Sequence, residues 1–326
     1  MKIAYIYIQN MPLPGVDKKP TDQAAALKEM EETRLDIFVL NPNFSGQKQG
    51  VNYIKYRQFN AFPYFDYLLK HTFWRYSVLK NINTKIYDYI ILRYPKADYS
   101  GLRFYKNNKV ISEHHGEEFE ELRLEGENSN SLLFKYFKFL RAFLEKKYAP
   151  KILSHAKGII DMYPYGEQSK IKYTSRNLPR LYTGNGISTN KTKFTGFKAF
   201  DGKVLNIIFP ASHDLFFHGI DRLIKAAENY SGTVKINIHI AGNFKGSALL
   251  ENPFVKYHGT LHGKDYDSLL SKMNLGASTL GLYRKGLQYS GSLKTRDFTA
   301  RGLPFIIGHT DIDLSKHKPE IPFYLS

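Results

Sequence analysis

The sequence predicts an α/β protein of two doubly wound domains, residues 1–190 and 191–326, with a ligand cleft between them. Three observations point there. Short runs rich in Ile, Val, Leu and Tyr alternate with helix-length runs in both halves. A polar stretch, Ser188 to Asp201, separates the two registers as a linker would. Near the end, the small residues Ser290, Gly291 and Ser292 run from an apolar strand into a short helix, a junction suited to phosphate.

In order, Lys2–Ile8 reads as a strand. It is followed by a turn-rich loop, Gln9 to Thr21, with Pro12, Pro14, Gly15 and Pro20, and Asp22 then caps a helix over Gln23 to Thr33. Asp36 to Leu40 is the second strand and Val51 to Tyr56 the next, before an aromatic-rich helix over Ala61 to Leu79. Tyr87 to Leu92 is a buried strand with Arg93 at its carboxyl tip, and Tyr99 to Lys106 is helical. Val110 to Glu113 ends in Glu113, His114, His115 and Gly116. Two histidines and a carboxylate at a strand's end are placed for proton transfer near neutral pH. Adjacent residues on extended backbone point to opposite faces, so the pair is not expected to hold one metal ion. Either one of them lines the active cleft or both are ordinary loop histidines; His115, beside Gly116, is the first choice.

Glu117 to Asn130 reads as an acidic surface helix and loop. Leu132 to Tyr148 is the clearest helix: Lys135, Lys138, Arg141 and Glu145 or Lys146 share one face, and nearly everything else is Leu, Phe or Tyr. Packing on two sides and interfacial membrane contact both account for so wide an apolar face. Gly158 to Met162 is a strand, Pro164 to Tyr173 a helix, and Asn185–Gly186 a turn. The second half then repeats the alternation: strand Leu205 to Phe209, helix Gly219 to Asn229, strand Val234 to Ala241, strand Phe254 to His258, helix Lys264 to Met273, strand Leu275 to Leu280, helix Leu293 to Arg301 and strand Phe305 to Ile307.

With 47 Lys and Arg against 30 Asp and Glu, the chain carries +17 and calls for an anionic partner. Nucleic acid, an anionic membrane surface and phosphorylated small molecules all qualify; no nucleic-acid recognition motif is visible, so nucleic acid is the least favoured. Cysteine is absent, which excludes disulfides and thiolate metal sites and makes a cytoplasmic setting the default. The first strand is too short for a signal peptide, and no apolar run has the length of a membrane span.

The most telling stretch runs from Gly281 into the strand at Phe305. The first backbone N–H groups of the helix after Ser292 are free, Lys294 adds a charge in its first turn, and Asp297 follows one turn on. A cation in that place opposes the helix dipole, so stability alone does not explain it.

Leu205 to Ile307 resembles the C-terminal domain of retaining GT-B glycosyltransferases of the family 4 type, notably bacterial members that build capsule and lipopolysaccharide. The matching pieces are His218–Gly219–Ile220–Asp221, Ala241–Gly242–Asn243, Val255 to Leu261 with Gly259, and the Gly281 stretch. The first half resembles the acceptor domain in outline, through its Pro/Gly loop, Arg93 and the histidines after Glu113. The resemblance implies a GT-B fold of two Rossmann-like domains. It also implies transfer of a hexosyl group, with retention of configuration, from a UDP- or GDP-linked donor to a lipid-linked or oligosaccharide acceptor. No metal and no cofactor beyond that donor are implied, and the setting is the cytoplasm, peripheral to the inner face of the membrane.

By the same resemblance, Ser292, Leu293 and Lys294 hold the donor's distal phosphate and Asp297 binds the ribose. Gly259, Thr260 and Leu261 lie against the base, Gly15 admits the donor to the first loop, and His115, or else His114, sits by the transferred sugar. Tyr289 stands where the family has the first of two acids eight residues apart, so Tyr289 and Ser290 take the sugar side. The family's Arg and Lys in the first C-domain loop are missing, which leaves His213, His218 or Lys294 to serve the phosphates. The chain as read runs only a short way past Ile307, where the family pattern continues through further strands and a crossing helix. Those departures define the alternative: a non-catalytic GT-B-like protein that binds a nucleotide or a partner.

Overall fold

The computed structural model describes residues 1–9, 14–29, 33–48, 50–56, 75–96, 98–129, 131–162, 178–190, 192–244 and 247–316. The chain divides into two compact units, Met1–Thr183 and Gly184–Ser326.

The first unit is built on an eight-stranded sheet. In chain order its strands are β1 (Lys2–Ile8), β2 (Arg34–Asn41), β3 (Gly46–Lys48), β4 (Val51–Lys55), β5 (Tyr89–Arg93), β6 (Val110–His114), β7 (Gly158–Asp161) and β8 (Arg180–Tyr182). Their spatial order is β3-β4-β2-β1-β5-β6-β7-β8, parallel except for the antiparallel β3 and β4. Alternation along β1 sends Ala4 and Ile6 to one face, where they pack with Leu40, Ile90, Leu92 and Val110. Tyr5 and Tyr7 go to the other, against Ile37, Val39 and Val51. Both faces are apolar, as a buried parallel sheet requires.

Helix α1 (Pro14–Glu29) starts earlier than the sequence implies, with Pro14 in its first turn and Pro20 inside it. A proline in the first turn gives up an N–H that has no helical partner anyway. Gly15 therefore lies in a helix, not in an open loop. Helix α2 (Gly101–Asn107) and the far end of α4 (Leu132–Leu153) cover one face of the sheet, through Phe104, Tyr105, Ala149, Ile152 and Leu153. Between them α3 (Glu118–Glu127) packs along α4. The expected acidic surface helix is in part internal, because Glu118 and Glu121 are buried. The expected helix at 61–79 falls mostly outside the described residues, and its end, Arg75–Asn81, is a 3₁₀ turn. The expected helix at 164–173 lies outside them altogether.

The second unit holds a five-stranded parallel sheet of β9 (Val204–His213), β10 (Lys235–Asn243), β11 (Val255–Tyr257), β12 (Leu275–Ala277) and β14 (Phe305–Ile306), in the order β11-β10-β9-β12-β14. The strand between the last two, β13 (Tyr289–Ser290), pairs apart from it with β15 (Thr310–Asp311). Helix α5 (Ile220–Glu228) buries Ile220, Leu223 and Ile224 against Phe209, Ile238 and Ile240. On the opposite face α6 (Gly263–Leu270) and α7 (Leu293–Arg301) cover Ile208 and Ala241 with Leu269, Leu270 and Phe298. Gly276 makes room for this packing, since a Cβ there would lie 2.8 Å from the Phe298 ring. Helices on both faces make the unit doubly wound. Strand order reverses between β9 and β12, so its crevice opens at their carboxyl ends. The strand expected over Leu275 to Leu280 stops at Ala277.

Candidate functional site

In the first unit, the carboxyl ends of β5, β6 and β7 carry the candidate groups. Glu113 is buried and accepts a hydrogen bond from the Tyr5 hydroxyl on β1. Its Oε2 also lies 3.2 Å from His115 Nε2, and the His115 ring is the outward member of this acid–imidazole pair. Burial, and then the Glu113 charge, drive the Tyr5 hydroxyl well above its ordinary pKa, so Tyr5 remains a donor. Gly116 keeps the turn tight: a Cβ there would meet Glu121 Oε1 at 2.1 Å.

His114 turns the other way. It is buried and stacks on Tyr94, with Nε2 3.0 Å from Ser112 Oγ and Nδ1 3.1 Å from Glu118 Oε1. Burial opposes its charge most strongly, but the Glu118 carboxylate, together with Asp161 and Glu145, raises its pKa. Both ring nitrogens are thus engaged inside the unit, which makes His114 a brace and leaves His115 as the histidine with an accessible face. Asp161, at the end of β7, is pushed up to about 7 by burial and by the Glu118 charge.

In the second unit, Ser292 caps α7 by accepting from the Lys294 N–H at 3.2 Å, and its Oγ lies 3.5 Å from Ser278 Oγ at the end of β12. Lys294 Nζ is buried with no hydrogen-bond partner among the described residues, 5.0 Å from the centre of the Phe209 ring on β9. Burial alone brings its pKa down from 10.5 to about 7. His309, just past β14, donates through Nδ1–H to the Thr279 carbonyl, 3.1 Å away, while its buried Nε2 has no partner among the described residues. Burial lowers its pKa, and the Lys294 charge acts in the same direction, so the two groups share one neighbourhood. Both groups lie by the switch point between β9 and β12.

A fork of ion pairs fixes the first turn of α7. Arg296 spans both oxygens of Asp311 at 2.9 Å, reaches Asp313 at 2.5 Å and donates to the Asn185 carbonyl, while Thr295 Oγ1 donates to Asp311 at 2.9 Å. Asp297, the expected ribose ligand, is also engaged within the unit. Its Oδ1 accepts from Arg301 Nε at 2.9 Å and its Oδ2 from the Tyr266 hydroxyl at 3.2 Å, and Arg301 continues to Asp267. Those bonds tie α7 to α6.

The other expected residues fall around the same end of the sheet. His218 is buried beside Phe217, and Gly219 closes the turn with φ 75°; a Cβ there would stand 2.5 Å from the Gly281 nitrogen. His213 ends β9 opposite Asn243. Gly259, with φ 68°, accepts from the Gly242 N–H at 2.7 Å; Thr260 beyond it is exposed, and Leu261 packs into the apolar layer under α6. Tyr289 and Ser290 form the short strand beside Thr310 and Asp311. Sequence reasoning missed Tyr5, Phe209, Ser278, Arg296 and His309. Of these only His309, a histidine just beyond a strand's carboxyl end, carried a local signal.

A separate polar relay crosses the α6 face of the sheet. Asn206 Oδ1 accepts from Asn237 Nδ2 at 3.0 Å and lies 3.1 Å from His239 Nε2, which must therefore be the donor. His239 Nδ1 is then the acceptor for His258 Nε2 at 2.9 Å. The relay lines a cavity of about 560 Å³ with Lys198 and Lys272. Burial first, and then the neighbouring His258 and Lys256, lower the His239 pKa to about 4.

No family model and no curated protein matches the sequence. Solved structures do match in fold. The apo form of the lipopolysaccharide outer core galactosyltransferase WaaB aligns with TM-score 0.54 at 12% identity, over 94% of this chain and 80% of that one. A glycosyltransferase from Rickettsia africae aligns with TM-score 0.53 at 12% identity, over 94% and 79%. An alpha-glucosyltransferase in complex with UDP-glucose and DNA containing an abasic site aligns with TM-score 0.55 at 13% identity, over 94% and 79%. The fold class is therefore α/β with two Rossmann-like domains, the architecture of GT-B glycosyltransferases. At such identities the likeness is one of fold.

Proposed function

We propose that this chain is a glycosyltransferase that binds the diphosphate of a nucleotide sugar at the start of α7 and moves the sugar to an acceptor hydroxyl. The observation that carries this reading is Lys294: a buried ammonium without a partner among the described residues, at the switch point of a doubly wound sheet. A burial penalty of that kind is sustained where a ligand supplies the counter-charge. A nucleoside diphosphate does so, and it also suits the N-terminus of α7. The fold likeness to a galactosyltransferase and an alpha-glucosyltransferase supports the same class.

In the reaction, the bond from the anomeric carbon to the diphosphate oxygen breaks and a bond to the acceptor oxygen forms. Negative charge grows on the diphosphate, where Lys294 and the α7 amides stabilise it. The acceptor's proton needs a base within hydrogen-bond reach. We assign it to His115, oriented by Glu113, which Tyr5 in turn holds. Retention of configuration, a hexosyl donor linked to UDP or GDP, and a lipid-linked or polysaccharide acceptor are the finer reading that the sequence resemblance supports. The solved complex that contains DNA puts nucleic acid among the acceptors to assay.

The test is a thermal-shift titration with UDP, GDP and their sugars, followed by donor turnover with lipid-extract, oligosaccharide and DNA acceptors. Stabilisation by a nucleoside diphosphate that Lys294→Met abolishes is the expected result. No stabilisation by any nucleotide would overturn the proposal. Binding without sugar release from any donor would leave the non-catalytic alternative in its place.

A further inference from the structure

Helix α4 is turned inside out relative to its composition. Its charged residues Lys138, Arg141 and Glu145 face inward and are buried. Lys138 pairs with Glu125 of α3, and Arg141 Nη2 donates to the Lys96 carbonyl at 2.8 Å. Its large apolar residues face outward instead: Leu132 is 85% exposed, Tyr136 67% and Phe143 59%, with Leu133, Phe134 and Phe139 exposed beside them. Leu132, Tyr136, Phe139 and Phe143 follow the helical repeat and form one stripe. Lys146, Lys147 and Lys151, all exposed, continue that side toward the C-terminal end of the helix. Glu145 is the sole carboxylate in α4, and it is buried, so the outward surface of the helix presents positive charge and aromatic rings with no negative charge.

We infer that this outward surface docks the protein on an anionic lipid bilayer, with α4 lying in the interfacial plane. At 22 residues the helix is about 33 Å long. No helix among the described residues is long and apolar enough to cross a membrane, which leaves the in-plane arrangement for α4. Rings on one stretch enter the headgroup boundary while lysines farther along the same side meet lipid phosphates. The overall charge of +17 favours the same surface. A second copy of the chain is the poorer occupant, because two such helix surfaces would bring lysines together without a carboxylate on either. The inward ion pairs explain why α4 does not roll over: turning the rings in would strand Lys138, Arg141 and the α3 acids.

Co-sedimentation of the full chain with vesicles tests this. Phosphatidylcholine vesicles containing phosphatidylglycerol should pellet the protein, phosphatidylcholine alone should not, and added salt should release it. Tyr136→Ser with Phe143→Ser, and separately Lys146→Glu with Lys147→Glu and Lys151→Glu, should each weaken binding at least tenfold. All five positions are exposed, so both variants should keep the wild-type Tm. Their thermal shift with a nucleoside diphosphate should also be unchanged, so the docking and donor-binding proposals fail separately. Binding that survives both variants would overturn the docking assignment. A wild-type dimer in light scattering that the ring variant abolishes, with no vesicle binding, would assign the surface to a second copy and overturn it equally.

Discussion

Lys294→Met separates stability from ligand binding at a single atom. In the unfolded chain Lys294 titrates near its ordinary 10.5, whereas burial holds it at about 7 in the fold. Because the folded value is the lower, the unfolded state binds more protons between about 7 and 10.5, and stability rises with pH across that window. At neutral pH the fold therefore bears a penalty on the order of 4 kcal/mol, since each tenfold change in a protonation equilibrium is worth about 1.4 kcal/mol. Methionine keeps the length of the side chain over Phe209 and has no charge to bury. The unliganded variant is expected to be more stable than wild type, with a Tm higher by roughly 5 °C or more. UDP is expected to raise the Tm of wild type and to leave that of the variant unchanged.

The pH dependence of nucleotide binding gives an independent measure. The bound diphosphate should raise the Lys294 pKa, so affinity is level below about 7 and falls by up to tenfold per pH unit above it. Calorimetry in buffers of different ionisation enthalpy should show proton uptake on binding above that point. A Lys294→Met protein that is less stable than wild type and still responds to UDP would refute the reasoning.

Four further outcomes are expected. Glu113→Gln keeps the Tyr5 contact but weakens the support of His115, so turnover should fall by roughly 100-fold while the UDP thermal shift persists; steady-state kinetics beside thermal shift read the split. Arg296→Lys removes the fork to Asp311 and Asp313 and should cost about 3 kcal/mol in urea unfolding, since it leaves Asp311 buried and incompletely paired. Asp297→Asn should lower stability by about 1–2 kcal/mol through the loss of charge opposite Arg301. If its UDP affinity falls as well, Asp297 also contacts the donor. His239 has a folded pKa of about 4, below its ordinary 6.5, so the unfolded state binds the extra proton as pH falls between those values. Stability should drop by about 2 kcal/mol across that window, allowing for solvent in the adjoining cavity, and His239→Gln should flatten the drop.

How much of the site was legible depended on how local each signal was. The junction at Ser292 and Lys294 can be read because a small-residue loop entering a helix marks itself within a few residues. The His114 and His115 alternation is readable from strand geometry, but which ring faces inward depends on Ser112, Glu118 and Tyr94. In sequence Asp297 reads as a free carboxylate, because Tyr266, which donates to it, comes from another helix 31 residues away.

By itself the sequence determined the period of each segment, the parallel α/β class, and the place where a loop of small residues enters α7. These follow from apolar spacing and turn residues, which act over a few positions. Tertiary structure alone decided which way the amphipathic pieces face. Helix α4 has two plausible inward sides, and the acids of α3 claimed the charged one, leaving the rings outside. The ammonium of Lys294 likewise became a buried, unpaired charge only when β9 brought Phe209 beneath it. Burial is a property of what lies across from a residue, and the chain neighbours of Leu132 or Lys294 carry no record of that.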